Sequence, residues 1–190
     1  MLLVFTGDGK GKTTAALGQA LRAVGEGKRV LMVQFIKGPW KSGEDKLLEN
    51  LQFSIPPASP RLGRGRANFQ IRKTGLGFVG ILGDKRPIEE HQRAAEEGLE
   101  LACREAESGN WDILILDEIN NAVALDLLAK EKVLELINSL NSSTHKLEHL
   151  ILTGRDAPEE FIDRADLVTE MKDVKHPYAK GIAAKRGLEY

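Results

Sequence analysis

Nine residues near the amino terminus, Thr6-Gly7-Asp8-Gly9-Lys10-Gly11-Lys12-Thr13-Thr14, set small, cationic and hydroxyl side chains in an order that suits a polyphosphate. Glycines let consecutive backbone N–H groups turn inward toward phosphate oxygens, where a Cβ would stand in the way. Lys12 supplies a mobile cation, and the Thr13 hydroxyl is spaced to meet a divalent metal held by the same phosphates. A helix beginning at Lys12 would add free N–H groups and the positive end of its dipole. The usual pattern has a glycine five positions before Gly11; Thr6 stands there and Gly7 comes one place late, so the loop is a variant. A dinucleotide fingerprint fits worse, because its third glycine would fall on Lys12. The pattern predicts a site for ATP with Mg²⁺, with Gly7, Asp8, Gly9, Lys10, Gly11, Lys12, Thr13 and Thr14 around the triphosphate.

Such a site needs carboxylates at the carboxyl end of a neighbouring strand, and Asp117-Glu118 follows the run Trp-Asp-Ile-Leu-Ile-Leu directly. In a parallel sheet these side chains emerge on the same edge as the loop. The alternative is that the two acids cap a helix starting at Ile119. Thr153-Gly154-Arg155 also follows an apolar run, and Arg155 could reach a polyphosphate with two N–H groups or stand in solvent.

The elements that must position these residues read as alternating strands and helices, the pattern of a parallel α/β sheet. Strands are predicted at Leu2 to Thr6, Arg29 to Ile36, Phe69 to Arg72, Trp111 to Asp117, Leu147 to Thr153 and Leu167 to Met171. Helices are predicted at Lys12 to Val24, Glu44 to Leu51, Ile88 to Glu107, Val133 to Leu140 and Pro158 to Ala165. Ala16, Ala20, Ala23 and Val24 share a face of the first helix; Ala94, Ala95, Leu99, Ala102 and Cys103 do so on the longest. Residues 54–68 hold three prolines with Gly63 and Gly65, which forbids regular structure and predicts a long irregular loop.

At 190 residues and 42% hydrophobic, the chain has material for one full core, and a single domain over 1–190 is expected. Its net charge of -1 weighs against a protein that lives on nucleic-acid backbone. One cysteine, Cys103, excludes an internal disulfide and a cysteine-rich zinc site. The opening apolar run is too short for a signal peptide or a spanning helix, so a cytoplasmic protein without membrane contact is expected.

The chain resembles the ATP:corrinoid adenosyltransferase family. The matching pieces are VFTGDGKGKTTAA (Val4–Ala16), RAVGEGKRV (Arg22–Val30), VQFIKG (Val33–Gly38) with Trp40 and Gly43-Glu44, LILDEI (Leu114–Ile119), LTGRDAP (Leu152–Pro158), ADLVTEM (Ala165–Met171) and VKHPYAKGIAAKRGLEY (Val174–Tyr190). They occur in the family's order across nearly the whole chain. The resemblance implies a P-loop, RecA-like fold and transfer of the 5′-deoxyadenosyl group of ATP to the Co(I) of a corrinoid, cobalamin or cob(I)yrinic acid a,c-diamide, with triphosphate released. It implies Mg²⁺, a homodimer and a reductase supplying Co(I). Lys12, Thr13 and Glu118 would be the catalytic residues, Thr13 and Glu118 metal ligands with Asp117 supporting them, and Arg155 and Phe78 ligand-binding residues.

Two departures from the family pattern stand out. Members carry a Gly-Phe-Thr-Trp segment whose aromatics pack by the corrin; here the comparable stretch is Gly77-Phe78-Val79-Gly80, which keeps Phe78 and lacks the tryptophan. The chain also starts at its first strand, without the amino-terminal extension of some members. Among other signals, Arg61, Arg64, Arg66, Arg72 and Lys73 form a basic cluster without the aromatics of a base-stacking platform. His145 and His149 lack a third zinc ligand nearby, His176 is assigned either to the ligand pocket or to a structural tail, and Cys103 is expected in the core. Two other functions compete with the transferase: a RecA-like ATPase acting on nucleic acid, and a non-catalytic ATP- or corrinoid-binding protein.

Overall fold

The computed structural model describes residues 1–51, 68–81, 83–140 and 147–188. The elements follow in the order β1 (Leu2–Thr6), α1 (Lys12–Gly25), β2 (Val30–Gln34), α2 (Gly43–Leu51), β3 (Phe69–Lys73), α3 (Ile88–Glu107), β4 (Ile113–Asp117), α4 (Ile119–Ala124), α5 (Lys130–Ser139), β5 (His149–Thr153), α6 (Glu159–Arg164) and β6 (Leu167–Glu170). A single 3-10 turn, Pro177–Lys180, follows. The six strands form one sheet in the order β3-β2-β4-β5-β1-β6. Every pairing is parallel, where a mostly parallel sheet was the expectation.

The period of two along each strand sorts the core into two halves. Leu31 and Val33 of β2, Leu114 and Leu116 of β4, and Leu150 and Leu152 of β5 face α3, α5 and α6. Their alternates Val30, Met32, Ile113, Ile115 and Ile151 face Ala16, Ala20 and Ala23 of α1. Alanine lets α1 approach its side closely, while Leu99, Leu136, Ile137 and Phe161 fill the other. Both faces of the central strands are therefore covered, which is why they read as continuous apolar runs. Burying each such side chain contributes about 1.5–3 kcal/mol.

Where the bounds differ from expectation, the ends of apolar runs are the cause. Arg29 lies outside β2 because its backbone N–H and guanidinium both bond the Asp112 carboxylate. Phe35 and Ile36 continue beyond β2, with the Phe35 N–H reaching back to the Asp117 carbonyl. Trp111 precedes β4; its ring is buried and its Nε1–H donates to Glu105 at 2.6 Å. Helix α5 starts at Lys130, a turn before the apolar residues that suggested it. Cys103 packs half-buried against the larger core half, as expected. The irregular stretch expected over residues 54–68, with Arg61, Arg64 and Arg66, lies outside the described residues save Asn68. Lys73 of the same basic cluster is paired with Asp45.

Candidate active site

Four neighbouring strands end in a buried polar side chain: Thr6 on β1, Gln34 on β2, Asp117 on β4 and Thr153 on β5. Since all strands run the same way, these residues meet on one edge of the sheet, where the phosphate loop also leaves β1. Asp117 is the centre of the group and is fully buried. Its carboxylate accepts from the Thr13 hydroxyl at 2.8 Å, the Thr153 hydroxyl at 2.8 Å and Gln34 Nε2 at 3.0 Å. Three donors on one carboxylate lower the cost of a buried charge. The Thr153 hydroxyl in turn accepts from the Glu118 N–H at 2.9 Å.

Glu118 is shaped by strain. Its φ of 65° is in the left-handed region, which is uncommon for a side chain of this size. It makes the N-cap of α4 but gives that helix no side-chain cap bond, so the capping alternative does not account for it. Its carboxyl has no hydrogen-bond partner among the described residues, and burial, with Asp117 adding repulsion, pushes its pKa up to about 7. Lys12, Lys37 and Arg155 oppose that shift. A buried carboxyl without a hydrogen-bond partner among the described residues, next to an Asp117 that holds the Thr13 hydroxyl, is a group whose charge an added divalent ion would offset.

Lys12 begins α1 and is buried, its ammonium donating to the carbonyls of Gly7 at 2.6 Å and Gly9 at 2.8 Å. Two of three N–H groups are thus held by the loop, which leaves one for a ligand. Burial lowers its pKa, with Arg155 adding to the effect, against opposing pulls from Glu118, Asp8 and Asp156. The loop is folded onto the chain beyond β6: the Gly9 N–H donates to the Met171 carbonyl at 2.7 Å, and the Met171 N–H to Thr6 at 2.8 Å. A Cβ on Gly7 would stand 2.5 Å from the Met171 carbonyl oxygen, and one on Gly9 2.6 Å from that of Lys172. These glycines are therefore needed for this packing as well as for any ligand. Thr14, Asp8 and Lys10 lie exposed on the loop and first helical turn. Arg155 is exposed, with its backbone N–H bonded to Asn121 Oδ1 at 2.5 Å.

Gln34, Thr153 and Lys37 were not among the expected site residues. Lys37 pairs with Glu44 at 2.7 Å and stands 3.7 Å from Asp117. Burial is the largest influence on its pKa and lowers it, yet Asp117, Glu44 and Glu118 together raise it. The signal for the first two was present: each is a polar residue ending an otherwise apolar strand. Gln34 Oε1 and Asn120 Oδ1 are buried without a partner among the described residues, both close to this edge. Phe78, which follows β3, is exposed and stacked obliquely on Trp40 with ring centroids 6.0 Å apart. His176 Nδ1 accepts from the Tyr178 N–H at 3.2 Å, a contact inside the tail.

A parallel sheet flanked by helices, with a glycine-rich loop and a buried acidic strand end on one edge, defines the phosphate-loop class of α/β proteins. Comparison with known proteins narrows this. The family model for ATP:corrinoid adenosyltransferase BtuR/CobO/CobP matches residues 1–190. The corrinoid adenosyltransferase of Escherichia coli K12 is 38% identical over 190 residues, covering 100% of this chain and 85% of that one. Corrinoid adenosyltransferase CobA of Salmonella typhimurium is 36% identical over 195 residues, with the same 100% and 85% coverage. The chain belongs to the ATP:corrinoid adenosyltransferase family. A solved structure, the KaiC-like protein PH0186 of Pyrococcus horikoshii, is 18% identical and superposes with a TM-score of 0.38 over 99% of this chain and 66% of that one, too loosely to carry an argument.

Proposed function

We propose that this chain transfers the 5′-deoxyadenosyl group of ATP to the Co(I) of a corrinoid, with inorganic triphosphate as the leaving group. The observation that carries the reading is the joined cluster of Lys12, Thr13, Asp117 and Glu118 at the loop, in a chain matched throughout by the family. In the step itself the cobalt electron pair forms the Co–C5′ bond while the C5′–O bond breaks and its pair leaves with triphosphate. Co(I) is the nucleophile, so the protein needs no serine, cysteine or histidine to attack. Its work is to aim C5′ and to stabilise charge on the departing oxygens.

The loop amides from Gly7 to Thr14, apart from that of Gly9, and the remaining N–H of Lys12 would hold the triphosphate. Thr13 and Glu118 would hold Mg²⁺, with Asp117 fixing the Thr13 hydroxyl so that its lone pairs face the ion. When bound, that ion supplies positive charge beside the leaving group. Three donors already occupy Asp117, which suits a supporting role better than direct ligation. Arg155 adds a further cation near Lys12 and Glu118. The reading also includes a single domain over 1–190, a homodimer, a separate reductase for Co(I) and a cytoplasmic setting. Among the described residues no helix is long and apolar enough to cross a membrane.

The test supplies ATP, Mg²⁺, a strong reductant and cobalamin, and follows the cobalt spectrum and the phosphate product. A light-sensitive cobalt–carbon product with one triphosphate per turnover is the expected result. Orthophosphate released in response to DNA would replace this reading with an ATPase, and binding without product would leave a carrier.

A further inference from the structure

Large aromatic side chains are seldom left in water on a rigid seat without a use. Trp40 is 53% exposed and Phe78 47%, and the neighbouring Ile81 is 59% exposed. Yet Trp40 is closely held. A Cβ on Gly38 would stand 2.3 Å from its ring and one on Gly77 2.7 Å, so the indole lies in a slot that only glycines at both positions allow. Gly77 is anchored by its N–H to the Ile36 carbonyl at 3.1 Å, and the Trp40 carbonyl accepts from Lys73 at 2.7 Å. The far end of the Phe78 segment is fixed too. The Asp84 carboxylate accepts from the Gly80 N–H at 3.1 Å and meets His91 Nε2 at 2.9 Å, both Asp84 and His91 side chains being almost wholly buried.

The location gives this pair its meaning. Trp40 follows β2 and Phe78 follows β3, so both leave the same sheet edge as the phosphate loop. Strand β2 also pairs with β4, whose end carries Asp117. Lys37, three residues before Trp40, stands 3.7 Å from that carboxylate. An ordered, exposed, apolar wall thus borders the cluster assigned to the triphosphate.

We propose that Trp40, with Phe78 beside it, is the wall against which the planar face of the corrinoid acceptor packs. This rests on the transferase reading above. It assigns a ligand-binding role to Trp40 in a chain whose Gly77-Phe78-Val79-Gly80 segment holds a single aromatic. A broad macrocycle edged with methyl and amide groups gains most from a flat, polarisable surface that needs no reordering on binding. Trp40 meets that requirement because its slot fixes the ring before any ligand arrives.

Equilibrium dialysis of hydroxocobalamin and, separately, of Mg–ATP against the full chain tests this with wild type, Trp40→Ala and Trp40→Phe. The expected result is roughly tenfold weaker cobalamin binding by Trp40→Ala, most of it restored in Trp40→Phe, with ATP affinity held within about twofold in both. Retained ATP binding shows that the variants are folded. Unchanged cobalamin binding in Trp40→Ala overturns the proposal, as does absence of cobalamin binding by wild type. Turnover by wild type is scored apart: failure to form the cobalt–carbon bond would overturn the transferase reading, while the dialysis still decides the role of Trp40.

Discussion

The two edges of the sheet are built on opposite principles. At the amino edge, polar groups find partners at once: the Arg29 guanidinium meets Asp112 at 2.8 and 3.1 Å, and the amino terminus donates to the Glu148 carbonyl at 2.7 Å. An exception is His149 Nδ1, buried without a partner among the described residues, on an imidazole whose pKa is lowered chiefly by burial. At the carboxyl edge, by contrast, Lys12 is buried on its own loop, Glu118 is strained, and among the described residues the Glu118 carboxyl and an oxygen each of Gln34 and Asn120 have no hydrogen-bond partner. An edge that satisfies itself contributes stability. An edge that leaves such groups open is the place to test for a ligand.

The sharpest way to test that division is Lys12→Ala. Removing the buried cation is expected to cut adenosyl transfer by about 10²–10³-fold, as for loss of a preorganised charge donor, with thermal stability little changed. Full activity with normal ATP affinity would break the comparison at its strongest point.

Next in size is Glu118→Gln, measured without nucleotide or metal. The wild-type carboxyl has its folded pKa raised from 4.5 to about 7, so the folded state holds its proton longer than the unfolded chain. Wild-type stability therefore falls as pH rises through that window, while glutamine has nothing to ionise. The advantage of Glu118→Gln should grow across the window toward a few kcal/mol at most, by the ~1.4 kcal/mol that each unit represents. A difference in melting temperature that stays flat with pH would contradict the assigned environment.

Thr153→Val removes a hydroxyl that serves both Asp117 and the Glu118 N–H. A loss of about 1–3 kcal/mol in urea unfolding is expected, from the partners left without a match. Smallest is Asp112→Ala on the opposite edge. The Arg29 hydrogen bonds hold the Asp112 pKa down, so its contribution is present above 3.8 and fades as pH falls through the lower folded value. Both partners are partly solvated, so about 1 kcal/mol is expected at neutral pH, with adenosyl transfer unchanged.

Much of this was legible in the residues. The apolar runs gave every strand and the three-and-four spacing gave α3 to the residue, because burial on two faces leaves a plain periodic mark. The loop and Asp117-Glu118 could be found because glycine, lysine and paired acids have few other reasons to follow a strand. What escaped is non-local. Nothing near Lys37 announces its approach to Asp117, and nothing near Gly9 announces Met171. The left-handed turn at Glu118 runs against local preference and comes with a bond from its N–H to the Thr153 hydroxyl on the neighbouring strand. Trp40 and Phe78 were visible as residues, but their meeting depends on two loops that leave adjacent strands.

The bond from the Gly9 amide to the Met171 carbonyl makes the shape of the glycine-rich loop a property of two distant stretches of chain. A change confined to the segment after β6, far from every glycine and lysine of the loop in sequence, is therefore transmitted to it directly through main-chain atoms.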